Sequence, residues 1–245
     1  MLLKRGELLR LAGHFEAALS DFQQAARRGE RAGEADFQLG WTLLQVGRPA
    51  EARPHLDRYI AAHPDDSKAF ATRARTLVVL DDNLAAAADF TRAIALSPVP
   101  DYYLERARAL AAAGDVAAAV EGLDRGLERI GAVVSLQRLA IDQELARNNI
   151  DGAVARVDSM AGITGRADIW LARRGDILLQ AGRRDDAHAA YGQALAAIET
   201  LSVRRQSSSA VRDLKTHLEA ALRQLAGTEN PTSLRGADLP ETRIQ

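Results

Sequence analysis

A chain of 245 residues has room for one or two compact domains, or for one solenoid. Its formal net charge of −1 excludes a bulk electrostatic match to nucleic acid. The absence of cysteine removes disulfides, thiolate zinc sites and cysteine nucleophiles, though it does not fix the compartment.

The apolar start Met1-Leu2-Leu3 is broken at once by Lys4, Arg5 and Glu7, so it does not read as a signal peptide. No stretch approaches the roughly 18 apolar residues of a membrane span, so no membrane insertion is expected. The first helical unit begins almost immediately. Either a leader or upstream units were removed, or the first helix is a bare end. The chain as written reads as cytoplasmic, and as periplasmic if a leader was removed. Lys4, Lys68 and Lys215 are the only lysines, an Arg-heavy bias that reads as a GC-rich, bacterial coding origin.

Gly13, Gly47, Asp81, Gly114, Asn148 and Gly182 recur at intervals of 34, 34, 33, 34 and 34 residues. Each suits a helix end, and a fixed period of this size marks stacked helical units. The second unit shows the plan. Leu39, Gly40 and Leu43 share one face of a first helix, Gly47 turns the chain, and Ala52, Leu56 and Tyr59 mark the buried face of a second helix. His63-Pro64 stops that helix, and Asp65 and Asp66 can cap the next. The first unit repeats the plan with Gly6, Leu9, Phe15, Ala18 and Phe22. The third uses Phe70, Ala74, Leu77, Ala86 and Phe90, and the fourth Tyr103, Ala107, Leu110, Ala119 and Leu123. The sixth uses Leu171, Gly175, Leu178, Ala187 and Tyr191. In the fifth, with Ile141, Ala153 and Val157, Glu144 takes a place apolar elsewhere, so a looser or shifted packing is expected there. Small residues recur where two helices must approach, and large ones where the space must be filled.

Beyond Leu201 the period ends. Ser207-Ser208-Ser209 can cap a helix whose apolar stripe is Val211, Leu214, Leu218, Ala221, Leu222 and Leu225. The expected organisation is a solenoid of six hairpins over 1–201, a capping helix over 207–226 covering the last hairpin, and a flexible tail over 227–245.

This register of small and large residues resembles the tetratricopeptide repeat family. The resemblance implies an all-α, right-handed α-solenoid whose first helices line a concave groove for a protein or peptide, with no chemistry of its own. The groove positions it implies are Phe37, Trp41 and Leu44 in the second unit, Lys68 and Arg75 in the third, Arg108 in the fourth, and Arg138 and Asp142 in the fifth; Asp176 is the sixth unit's equivalent. Phe37 and Trp41 lie one helical turn apart. Trp41 is either a binding hot spot or core against the next unit. Arg75 and Arg108 fall at equivalent places and would either hold a carboxylate together or each pair with a nearby acid. Some members clamp a C-terminal carboxylate with a Lys/Asn/Lys/Arg set. The matching places here hold Leu3, Glu7, Phe37, Trp41 and Ala71, so that type of receptor is not expected.

A second arginine series, Arg5, Arg73, Arg106 and Arg174, precedes the small residue of the first helix. Asp21 and Asp89 on the second helices predict structural pairs Arg5–Asp21 and Arg73–Asp89. Arg106 and Arg174 have no such aspartate in their own unit. His55 and His63 share a face with Tyr59 but lie two turns apart, too far to hold one metal ion without a third element. No phosphate loop or nucleophile elbow is present, and no metal, cofactor or catalytic residue is assigned. The reading is a non-catalytic scaffold for a protein or peptide partner. The alternatives are self-assembly into a homo-oligomer through exposed solenoid ends, or service as an accessory subunit of a larger enzyme or envelope complex.

Overall fold

The computed structural model describes residues 1–29 and 31–226, and the expected tail lies outside the described residues. Among the described residues there are fourteen helices and no strand. The chain divides into two compact units, Met1–Arg147 and a second that begins at Asn148.

The first unit holds α1 (Leu2–Leu11), α2 (Phe15–Arg27), α3 (Ala32–Gln45), α4 (Pro49–Ala62), α5 (Ser67–Val79), α6 (Asn83–Leu96), α7 (Pro100–Ala112), α8 (Val116–Ile130) and α9 (Val134–Ala146). Each helix packs on the next in chain order. The second unit holds α10 (Ile150–Thr164), α11 (Ala167–Gln180), α12 (Arg184–Glu199), the single turn α13 (Val203–Gln206) and α14 (Ser209–Ala226). There α10 packs on α11, α11 on α12, and α14 lies against α12 through buried Val211, Leu218 and Leu225.

The turns explain the period. Gly13, Gly47, Gly114 and Gly182 adopt φ of 74–87°, where a side chain would be strained, and Asp81 and Asn148 reach the same left-handed region at 62° and 59°. The following helix then starts on a side-chain oxygen in several cases. Asp66 accepts from the Lys68 and Ala69 amides, and Asp82, Asp115 and Asn149 each accept from the amide three residues on.

Between paired helices, size is complementary. A Cβ on Gly6 would lie 2.5 Å from the Phe22 ring, and one on Gly40 would lie 2.6 Å from Leu56. The same crossing in the third and fourth hairpins uses Ala74 with Phe90 and Ala107 with Leu123, all buried. In α9 the acid that takes the place of an apolar residue is buried and paired. Glu144 is only 3% exposed, and Arg147 donates to it at 2.6 Å, so the carboxylate is satisfied and the helix continues to Ala146. The two units divide at Arg147–Asn148.

The predicted ion pairs form. Arg5 makes two hydrogen bonds to buried Asp21, and Arg73 donates to buried Asp89 at 2.7 and 2.8 Å. Arg73 also reaches back to Asp57 on α4 at 2.9 Å, so it ties the second helices of two successive hairpins together. Arg174 uses the backward partner alone, with its Nε 3.2 Å from Asp158 on α10. Arg106 donates to Thr91 at 2.9 Å instead, and burial with no carboxylate bonded to it lowers its proton affinity. In the second hairpin the charges exchange helices: Asp36 on α3 meets His55 at 2.6 Å and Arg58 at 2.7 Å on α4. Burial opposes ionisation of Asp36, yet these two partners hold its carboxyl below the usual aspartate range.

Candidate functional site

The first helices of the early hairpins carry the candidate face. On α3, Phe37 and Trp41 are both half-buried, with ring centroids 5.9 Å apart. Phe37 continues into Tyr59 of α4 at 5.0 Å, and Tyr59 stacks on His63 at 4.3 Å with an interplanar angle of 16°. Four rings thus follow one another across the second hairpin. Trp41 is neither bare groove wall nor closed core: the Arg10 guanidinium from α1 lies over it, 4.0 Å from the ring centroid. Arg10 Nε is buried and has no hydrogen-bond acceptor. Leu44 is half-buried and packs onto the core of the first two hairpins.

The charged candidates separate by what they touch. Lys68 is exposed on the first turn of α5. Arg75 makes two 2.7 Å hydrogen bonds to Glu105 of α7, so it does not stand beside Arg108 as a second open cation. Arg108 is exposed at the edge of a cleft of about 440 Å³ whose other lining includes Val78, Val79, Phe90, Ala109 and Ala112. Arg138 and Asp142 are both exposed on α9. Asp176, in the second unit, accepts from Tyr191 at 2.9 Å and meets His217 at 3.2 Å. The histidines considered for a metal go to different partners, His55 to Asp36 and His63 onto Tyr59.

The environment of Tyr59 is electronegative. Burial raises its hydroxyl pKa first, and its 2.9 Å hydrogen bond to Asp66, with Glu34 and Asp65 nearby, pushes it up to about 12. Sequence reasoning assigned Tyr59 to a buried face and missed the contacts that Arg10 and Glu105 make. Arg10 and Glu105 matter through neighbouring hairpins, which only coordinates reveal.

Helical hairpins packed in chain order, with aromatic and charged side chains left open on the first helices, define a helical-repeat scaffold for protein–protein interaction. The tetratricopeptide repeat family model matches residues 3–67 and 72–132, more than half of the chain, and the chain belongs to that family. The family is typically a non-catalytic scaffold. No curated protein matches the chain significantly. Among solved structures, a tetratricopeptide repeat protein from Parabacteroides merdae ATCC 43184 is 16% identical with a TM-score of 0.60, covering 95% of this chain and 94% of that one. The structure described as MamA MSR-1 C2 is 18% identical with a TM-score of 0.53, over 63% of this chain and 90% of that one. MamA 41-end from Desulfovibrio magneticus RS-1 is 16% identical with a TM-score of 0.50, over 72% and 97%. At such identities the likeness concerns the fold. No described helix is long and apolar enough to cross a membrane.

Proposed function

We propose that the chain captures a protein partner on the first-helix face of its early hairpins, with Phe37 and Trp41 at the centre. The observation that supports this most is a pair of large rings left half-exposed one turn apart, with an arginine over one of them. Aromatic and arginine side chains dominate binding hot spots because they combine apolar area with directed donors. Leu44 would extend the apolar contact, and Lys68, Arg75, Arg108, Arg138 and Asp142 would frame it with charge. Arg75 contributes there as one half of the Arg75–Glu105 pair rather than as a lone cation.

The test is a Trp41→Ala variant presented to lysate of the source organism beside the wild-type chain. Loss of this ring is expected to weaken capture of the wild-type partner by about thirtyfold, corresponding to about 2 kcal/mol for a hot spot. The circular dichroism spectrum should be unchanged. Equal capture by a folded Trp41→Ala chain would reject this face.

A further inference from the structure

The segment that joins α12 to α14 gathers positive charge that the chain does not neutralise. From Thr200 to Arg212 the sequence carries Arg204, Arg205 and Arg212 and no acid, in a chain whose net charge is −1. Elsewhere arginines are spent on carboxylates, as in Arg5–Asp21, Arg73–Asp89 and Arg75–Glu105. Arg204 and Arg205 are exposed and make no ion pair with any described residue. Both line a cavity of about 410 Å³, together with Arg166 and Ser202, and among the described residues no acid lines it. Arg166 gives Nε and Nη2 to buried Asp168, so that pair is neutral and Nη1 is left unbonded. The uncompensated charge of the cavity is that of Arg204 and Arg205.

The backbone that carries these two arginines is fixed. The Ser202 carbonyl accepts from the Arg205 and Gln206 amides at 2.8 and 3.0 Å. The Gln206 side chain donates to the Glu199 and Leu201 carbonyls at 3.0 and 2.8 Å. The Ser207 and Ser208 hydroxyls donate to the carbonyls of Arg204 and Arg205 themselves, at 3.0 and 2.7 Å. A turn bonded in this way holds two like charges at one cavity at an electrostatic cost that a bound anion removes. It also leaves little backbone ordering to oppose binding.

The chemistry of the anion follows from the donors. Guanidinium groups present paired N–H donors that match oxyanions. A carboxylate offers two oxygens and one negative charge. A phosphate monoester offers three oxygens and about −1.5 to −2 charge at pH 7, which matches two unpaired arginines. We propose that this cavity binds a phosphoryl group, with Arg204 and Arg205 donating to its oxygens and Arg166 adding the Nη1 that Asp168 leaves unbonded. The site lies in the second unit and stands apart from the Phe37–Trp41 reading.

The probes are inorganic phosphate and an acetylated Gly-phosphoserine-Gly amide, titrated into the full ¹⁵N-labelled chain at fixed ionic strength. Matched glutamate and serine peptides serve as carboxylate and neutral controls. The phosphopeptide should shift the Arg204 and Arg205 side-chain N–H signals and the Val211 amide. The glutamate peptide should bind about tenfold more weakly and the serine peptide should not bind. Tighter binding of the phosphopeptide than of phosphate assigns the site to a phosphate ester, and the reverse order assigns it to the free ion; either bears out a phosphoryl site. Arg205→Gln should weaken the phosphopeptide about tenfold, and the Arg204→Gln/Arg205→Gln double variant should abolish binding. Neither should lower the thermal midpoint, because no described ion pair is lost. Arg212→Gln removes the third arginine of the segment, which does not line the cavity, and should leave binding unchanged. Equal binding of phosphoserine and serine peptides, undiminished binding by the double variant, or a loss with Arg212→Gln as large as with Arg205→Gln would overturn the assignment. No shift with either phosphate probe would do the same.

Discussion

The close crossing of α11 and α12 offers the sharpest test of the packing argument. Gly175 faces the Tyr191 ring, and a Cβ there would sit closer to three ring carbons than real side-chain carbons approach. The ring cannot step aside easily. Tyr191 is 1% exposed, and its hydroxyl is held by Asp176 at 2.9 Å. Gly192, on the same hairpin, is exposed, and a Cβ there meets nothing within 4 Å. The two glycines therefore share a helical backbone and differ in surroundings. Alanine gains about 1 kcal/mol of helix propensity at either place. Overpacking at Gly175 costs about 1–3 kcal/mol, and the immobile ring argues for the upper half of that range. Gly175→Ala should therefore lose about 1–2 kcal/mol net, while Gly192→Ala should gain about 0.5–1 kcal/mol. With a urea slope of about 1–3 kcal/mol/M, the two midpoints should differ by roughly 1 M. Trp41 and Trp170 are the only tryptophans, so a Trp41→Phe background lets Trp170 fluorescence follow the second unit alone. A Gly175→Ala midpoint equal to or above that of Gly192→Ala would refute the close-approach argument.

Two further predictions concern buried charge. Asp89→Ala removes the carboxylate that accepts twice from half-buried Arg73 and should destabilise the first unit by about 1.5–3 kcal/mol; Asp57 retains part of the arginine's satisfaction, and a urea midpoint within error of wild type would contradict the pair's structural role. Asp168, 1% exposed, is held below the ordinary aspartate value chiefly by two 2.9 Å hydrogen bonds from Arg166, against the opposing effect of burial. A carboxylate with a depressed folded-state pKa contributes stability that is whole above about pH 4 and disappears as pH falls through the lower folded value. Wild-type urea midpoints should fall more steeply than those of Asp168→Asn between about pH 5 and pH 2, and parallel profiles would rule this contribution out.

Much of the fold was legible because helical repeats repeat their constraints. The interval near 34 residues marked where the chain must turn, and the turn residues were types that tolerate positive φ. The pairing of Gly6 with Phe22 and Gly175 with Tyr191 appeared as small and large residues at matched offsets. The 16-residue offset from Arg5 to Asp21 and from Arg73 to Asp89 joins one helix to the next across a short turn, so local geometry brought those charges together. Arg174 escaped the same rule because its acid lies on the preceding helix, at the same offset in the opposite direction.

The candidate face was legible only as a set of positions. Arg75 and Arg108 looked equivalent in sequence, yet Glu105 from the following hairpin neutralises one and leaves the other at the cleft edge. Trp41 could be read as wall or core, and a side chain from the preceding hairpin, Arg10, decided that it is half-covered. Sequence by itself determined the helices, their turns and the large-into-small packing, since these arise from backbone preference and contacts between neighbours in the chain. Tertiary structure alone decided which side chains remain open, because that depends on how long side chains from adjacent hairpins share the space and charge between them.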